Sequence, residues 1–184
     1  GMAGSPAYGN LYSCGYGGIL YCYDITNGHL KWTYEAPNGG TESPYGNYPL
    51  SILAIADGKV FLGSSEHSPT KPLWRGSYLR AVDAYSGQEA WKIETWVDGL
   101  AIADGYLVCS NHYSNQIQAF GKGQTAVSVD VSQGVIASGD AVLIKGIVTD
   151  QSPGAPGTPA IADQYMQRWM EYLYMQQDIP GDAI

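Results

Sequence analysis

Three side chains in this chain have the chemistry of a metal site: Glu66, His67 and His112. Two imidazoles and a carboxylate suit zinc or another divalent transition metal. The histidines follow equivalent positions, Gly63 and Cys109, of two similar segments by three or four residues. A fold that stacks those segments side by side would bring them to one end. No tight ligand spacing such as i,i+4 reinforces the set, so the competing reading is two loop histidines in ordinary hydrogen bonds. Asp24 and Asp83 are candidate bases, but a general base needs a matched pKa and reach to a substrate. Their surroundings read instead as turns that a carboxylate caps. Asp57, Asp104, Asp130 and Asp150 could offer oxygens to calcium, yet none lies in a D-x-D-x-D-G run. Trp74, Arg75 and Tyr78 could form an aromatic loop that stacks on sugars or captures peptides, or one that folds over its own sheet edge.

Cysteine chemistry is sparse. Cys14, Cys22 and Cys109 make an odd count with no C-x-x-C pair. A bridge between Cys14 and Cys22 would need a particular cross-strand register and Cβ separation. Buried free thiols are the expectation.

The elements that must position these residues repeat. Leu53-Ala-Ile-Ala-Asp-Gly58 recurs unchanged as Leu100-Ala-Ile-Ala-Asp-Gly105, 47 residues later. A strand-like run follows each copy, Lys59-Val-Phe-Leu-Gly63 and Tyr106-Leu-Val-Cys109, and Asn10-Leu-Tyr-Ser-Cys14 after Gly9 is an earlier counterpart. Asp24, Gly28 and Trp32 share their spacing with Asp83, Gly87 and Trp91. Each set predicts a hairpin: a strand ends at Asp, Asn27-Gly28 or Ser86-Gly87 turns the chain, and the next strand carries a tryptophan on one face. A decayed third copy, Ile117-Gln-Ala-Phe-Gly121, has Gly121 in the aspartate position and no tryptophan after it. Each unit then reads as four short strands: 6–8, 10–14, 19–24 and 30–35; 51–56, 59–64, 78–83 and 89–94; 98–103, 105–110, 115–120 and 124–130. Insertions at 37–49 and 65–77 account for the uneven spacing. Four strands per unit at such a period describe propeller blades.

Composition agrees and excludes other classes. The 184 residues hold 24 glycines and 15 tyrosines, which suit many turns and half-buried pleated surfaces. The net charge of −8 comes from only 14% charged residues, with 45% apolar, so neither a disordered acidic tail nor a basic nucleic-acid-binding face fits. No apolar run reaches the length of a membrane span. Gly1-Met2 reads as a cloning remnant before a start codon, and no signal core follows it, although a longer parent protein could carry one.

The pattern Asp-x-x-[Thr/Ser/Asn]-Gly-x-x-x-Trp, preceded in the second unit by Gly-Lys-Val-Phe-Leu-Gly, resembles the repeat of pyrroloquinoline quinone (PQQ)-type β-propellers. Quinoprotein alcohol dehydrogenases and outer-membrane assembly scaffolds share that repeat. The match covers residues 5–125, and Glu66–Gly76 looks like a loop in archaeal members. The resemblance implies seven or eight blades in a complete ring, and about three are present. A quinoprotein dehydrogenase would need a central PQQ held by several blades, a calcium ion, an aspartate base and commonly a vicinal disulfide. No two cysteines are adjacent here, and three blades cannot enclose a central cofactor, so no cofactor is expected in this chain. Trp32 and Trp91 are expected to pack between blades rather than on a cofactor ring.

The remaining residues, 126–184, read as a second region. Val127, Val129 and Val131 alternate with polar neighbours, and Ala141–Thr149 forms another strand run, resembling the opening strands of an immunoglobulin-like module. Pro153–Pro159 breaks regular structure. Met166, Trp169, Met170 and Leu173 then make an apolar helical stripe over 163–177, with Asp163 as its cap and Ile179-Pro180 as its stop. The stripe reads as a packed face.

The overall expectation is an all-β partial propeller of about three four-stranded blades, then a β segment and one amphipathic helix. Its function is expected to be non-catalytic, a repeat scaffold for protein or glycan contacts. The parent protein is expected to be larger and exported to the periplasm, cell surface or exterior. Open blade edges call for a homo-oligomer or for missing blades of the parent. PQQ and Ca²⁺ enter only under the alternative of a dehydrogenase fragment. A metal-dependent hydrolase centred on His67 and His112 is the other alternative.

Overall fold

The computed structural model describes residues 4–39, 46–64, 77–97, 99–121, 123–132, 134–135, 137–152 and 156–175. Three antiparallel sheets follow one another along the chain. Blade 1 holds β1 (Ser5–Ala7), β2 (Asn10–Ser13), β3 (Ile19–Asp24) and β4 (Leu30–Glu35), ordered β1-β2-β3-β4. Blade 2 repeats this with β5 (Leu50–Ala56), β6 (Lys59–Ser64), β7 (Tyr78–Asp83) and β8 (Glu89–Glu94). Blade 3 has three strands, β9 (Leu100–Ala103), β10 (Tyr106–Asn111) and β11 (Gln116–Gly121).

The turns show why these residues form these hairpins. The first hairpin of each blade turns on two residues of positive φ: Tyr8-Gly9 at 51° and 71°, Asp57-Gly58 at 49° and 64°, and Asp104-Gly105 at 51° and 80°. That is the turn whose twist matches the flanking strands, and both hexapeptide copies therefore end in the same structure. The β3–β4 and β7–β8 turns are likewise a matched pair. Asp24 N–H donates to His29 O and Gly28 N–H to Asp24 O, both at 2.8 Å. Asp83 and Gly87 make the same bonds, to Gln88 O and Asp83 O, at 2.8 and 2.9 Å.

Packing explains the burial pattern. On β6 and β7, Val60, Leu62 and Val82 face blade 1, where they meet Tyr12, Leu20 and Cys22. Phe61, Leu79 and Ala81 face blade 3, with Leu107 and Cys109. Blade 2 is thus buried on both faces, whereas β2 and β10 bury only alternate residues. Each fully buried aliphatic side chain contributes about 1.5–3 kcal/mol. The two tryptophans lie in these seams. Trp32 packs beside Tyr12 and against Gly87 of the next blade, so closely that a Cβ on Gly87 would sit 2.6 Å from the indole. Trp91 lies between Phe61 and Phe120, at 5.9 and 6.2 Å.

Residues 124–130 do not form the fourth strand of blade 3. β12 (Thr125–Val131) pairs over its whole length with β13 (Ile144–Asp150) in a separate two-stranded sheet. At the end of β11, Gly121 stands where Asp83 stands at the end of β7, so the carboxylate that caps the β7–β8 turn has no counterpart there. The valines of β12 are exposed, Val127 at 68%. Cys14, Cys22 and Cys109 are buried free thiols. Cys22 stands opposite Tyr12 in the ladder, and Cys14 lies beyond the end of β2. Burial pushes the Cys14 thiol up to about 11.

A 3₁₀ turn at Asp163–Tyr165 leads into helix α1 (Met166–Met175). α1 packs on β8, the terminal strand of blade 2. Lys92 N–H donates to Gln167 Oε1 at 2.7 Å, and Gln167 Nε2 donates to Lys92 O at 3.1 Å. One side-chain amide thus supplies the pair of bonds that a neighbouring strand would make, and blunts an exposed edge. Among the described residues no helix is long and apolar enough to cross a membrane.

Candidate binding site at the loop end

The strand order gives the stack two unlike ends. One carries only tight turns, including those at 24–28 and 83–87. Here Asp24 Oδ1 accepts from Thr26 N–H at 2.8 Å and from the Thr26 hydroxyl. Asp83 Oδ1 accepts from Ser86 N–H at 2.8 Å, Ser86 Oγ at 2.9 Å and Tyr85 N–H at 3.0 Å. Bonds from Thr26 and Ser86 hold the two carboxyls below the usual carboxylate range. A carboxylate so occupied is a poor base.

The opposite end carries, among the described residues, the connecting segments 14–18, 36–39, 46–49, 95–97 and 112–115. It is aromatic. The His112 and Trp96 rings lie 4.9 Å apart, and Tyr113 meets Trp96 edge-on at 6.0 Å. His112 N–H donates to Trp96 O at 2.9 Å, and Tyr113 N–H to Asn111 Oδ1 at 2.9 Å, which ties the β10–β11 loop to the link leaving β8. Tyr78 opens β7 at the same end, with the Arg80 guanidinium 4.8 Å over its ring. Burial pushes the Tyr78 and Tyr113 phenols up, with the Glu94 carboxylate adding to it. Tyr16 stands exposed on the blade 1 loop, beside a depression of about 300 Å³ lined by Gly15, Tyr16, Gly17, Ile19 and Tyr21.

Beneath this surface runs a charged cluster between blades 1 and 2. Arg80, 1% exposed, donates from Nε to Ser64 Oγ at 3.2 Å and from Nη1 to Glu89 Oε2 at 2.8 Å and Tyr34 OH at 3.1 Å. Tyr34 OH also donates to Glu89 Oε2, and Lys92 Nζ lies 3.0 Å from Glu89 Oε1. Burial opposes the charge on Glu89, yet the bonds from Tyr34 and Lys92 and the Arg80 charge hold its carboxyl below the usual range. Burial, reinforced by the bond to Glu89, pushes Tyr34 up to about 12.

The residues singled out by sequence fare unequally. Glu66, His67, Trp74 and Arg75 lie outside the described residues, so His112 and Tyr78 alone of their two groups are placed, both at the loop end. Among the described residues no group of three or more His, Cys, Asp or Glu could hold a metal ion. Asp57 and Asp104 sit in the tight turns, Asp130 on β12, and Asp150 accepts from Ser152 N–H at 2.7 Å. Trp96, Tyr113 and Arg80 were not singled out. The available signal for Arg80 was a lone charge inside the run Leu79-Arg-Ala-Val82.

No protein-family model and no curated protein sequence matches the chain. Solved structures do resemble it. BamB from Moraxella catarrhalis matches at 17% identity and a TM-score of 0.44, over 64% of this chain and 32% of that one. The quinohemoprotein alcohol dehydrogenase ADHIIG from Pseudomonas putida HK5 gives 18% and 0.42, over 85% and 19%. A europium-containing methanol dehydrogenase gives 15% and 0.41, over 98% and 28%. The chain thus spans a third or less of the length of each. All three are PQQ-like β-propellers. In this chain the sheet order, the matched turns and the tryptophan seams describe an open row of antiparallel sheets, consistent with part of a propeller.

Proposed function

We propose that this chain is a non-catalytic repeat scaffold, part of a larger exported propeller protein, which works by contact with a protein or glycan ligand at its loop end. The observation that carries the reading is the division of labour between the ends. The repeat's aspartates and tryptophans are engaged in turns and seams, while Trp96, His112, Tyr113 and Tyr78 gather where connections are longest. Aromatic rings offer large contact area at low entropic cost, with polar edges for hydrogen bonds. Three sheets in an unclosed row support the larger parent, or a second copy that covers the flanks. The export reading leans on the family resemblance.

The dehydrogenase alternative requires a cofactor at the centre of a ring. Adding PQQ and Ca²⁺ while following absorbance and melting temperature separates the two. The scaffold reading expects no saturable shift in either. A saturable, stoichiometric stabilisation would replace it with the enzyme.

A further inference from the structure

Among the described residues blade 3 lacks the outer strand that blades 1 and 2 have. Its three strands reproduce the first three of blade 2: the same positive-φ turn at Asp104-Gly105, and β10 paired with β11 from Tyr106↔Gly121 to Asn111↔Gln116 as β6 pairs with β7 from Lys59↔Asp83 to Ser64↔Tyr78. The chain directs its own next strand elsewhere, because β12 pairs with β13 over seven residues. Among the described residues β10 is the one strand paired with β11, which stands at the margin of its sheet. The corresponding margin of blade 2 is treated differently, since Gln167 occupies the main chain of Lys92 there.

From this we propose that the free edge of β11 is a docking slot for an extended segment of a partner protein, which completes blade 3 by strand addition. Main-chain bonds along the edge give affinity, and alternate side chains give specificity. Blades 1 and 2 define the sequence that fits. Their outer strands read Leu30-Lys-Trp-Thr-Tyr-Glu35 and Glu89-Ala-Trp-Lys-Ile-Glu94, with tryptophan third, a large ring or aliphatic group fifth and glutamate sixth. In blade 2, Trp91 stands opposite Ala81 and Ile93 opposite Leu79. The equivalent positions of β11 are Ala119, opposite Val108, and Ile117, opposite Ser110. Ile117 is 80% and Val108 37% exposed. A partner tryptophan beside Ala119 and an aliphatic residue beside Ile117 would extend that uncovered face into one continuous apolar surface. The slot is separate from the aromatic loop end and stands or falls apart from it.

The probe is a capped nonapeptide with the sequence of residues 87–95, Gly-Gln-Glu-Ala-Trp-Lys-Ile-Glu-Thr, titrated into the whole chain with residue-resolved hydrogen exchange. The slot expects saturable one-to-one binding, slowed exchange at the outward-facing amides within 116–121, and at least a tenfold loss when alternate peptide nitrogens are methylated on the pairing edge. The exposed substitution Ile117→Lys should weaken binding while leaving the fold intact. Three results would overturn the proposal: full protection of the 116–121 amides before peptide is added, no binding at millimolar peptide, or equal binding of the methylated and unmethylated forms.

Discussion

Arg80 is the residue on which the seam between blades 1 and 2 depends most for polar order. Its guanidinium is fully enclosed and bonded to Ser64, Tyr34 and Glu89, groups drawn from three other strands of two blades. Removing one member of a buried ion pair leaves the other uncompensated, which costs about 3–5 kcal/mol. Arg80→Ala should lose that much in urea denaturation. The pH dependence follows from Glu89. Its folded carboxyl titrates below the unfolded one, so the stability it contributes is complete above the unfolded value, about 4.3, and is lost as pH falls through the folded value. Stability measured from pH 6 down to pH 3 should therefore fall, and Glu89→Gln should flatten part of that fall. An unchanged slope in Glu89→Gln would show that other carboxylates account for it. None of this cluster was legible from spacing. Tyr34 and Glu89 are 55 residues apart, and only the stacking of two blades brings them together.

Helix α1 illustrates a different limit at the scale of elements. The stripe of Met166 and Trp169 announced a packed face, and Met166 does pack beside the blade 2–blade 3 core. What the pattern did not announce was a polar contact, Gln167 on Lys92, because the helical period records which residues face inward and not what they meet. A helix of ten residues is too short to be stable alone in water, so docking must hold it. Gln167→Ala removes two hydrogen bonds, each about 0.5–1.5 kcal/mol net. Faster exchange of the Lys92 amide and partial loss of helicity are the expected results, with the blades intact. Unaltered Lys92 exchange would mean that the amide contact does not hold the edge. The same limit explains β12. Alternation of Val127, Val129 and Val131 marks a strand correctly but is indifferent to its partner, which is β13.

At the scale of the whole molecule, the architecture was readable because it is built from repetition. Two copies of one hexapeptide, and two copies of one aspartate–glycine–tryptophan spacing, locate hairpins without any long-range information. The motif tryptophans then act across seams: the indole of Trp32 rests on the turn glycine of the following blade, and Trp91 meets Phe120 of blade 3. The loop end was less legible, since its residues come from connections of unrelated sequence, where no repeat guides the eye. Whether these sheets are truly stacked in this way is testable at a single contact by a double-mutant cycle on Trp32→Ala and Gly87→Ala, read by chemical denaturation. Trp32→Ala alone should cost about 3–5 kcal/mol. Gly87→Ala alone combines positive-φ strain with collision against the indole, about 2–5 kcal/mol together. With the indole already removed, the added methyl has room, so the double mutant should be less destabilised than the sum by at least 1 kcal/mol. Additivity within about 0.5 kcal/mol, the behaviour of independent sites, would contradict the stacked-blade account.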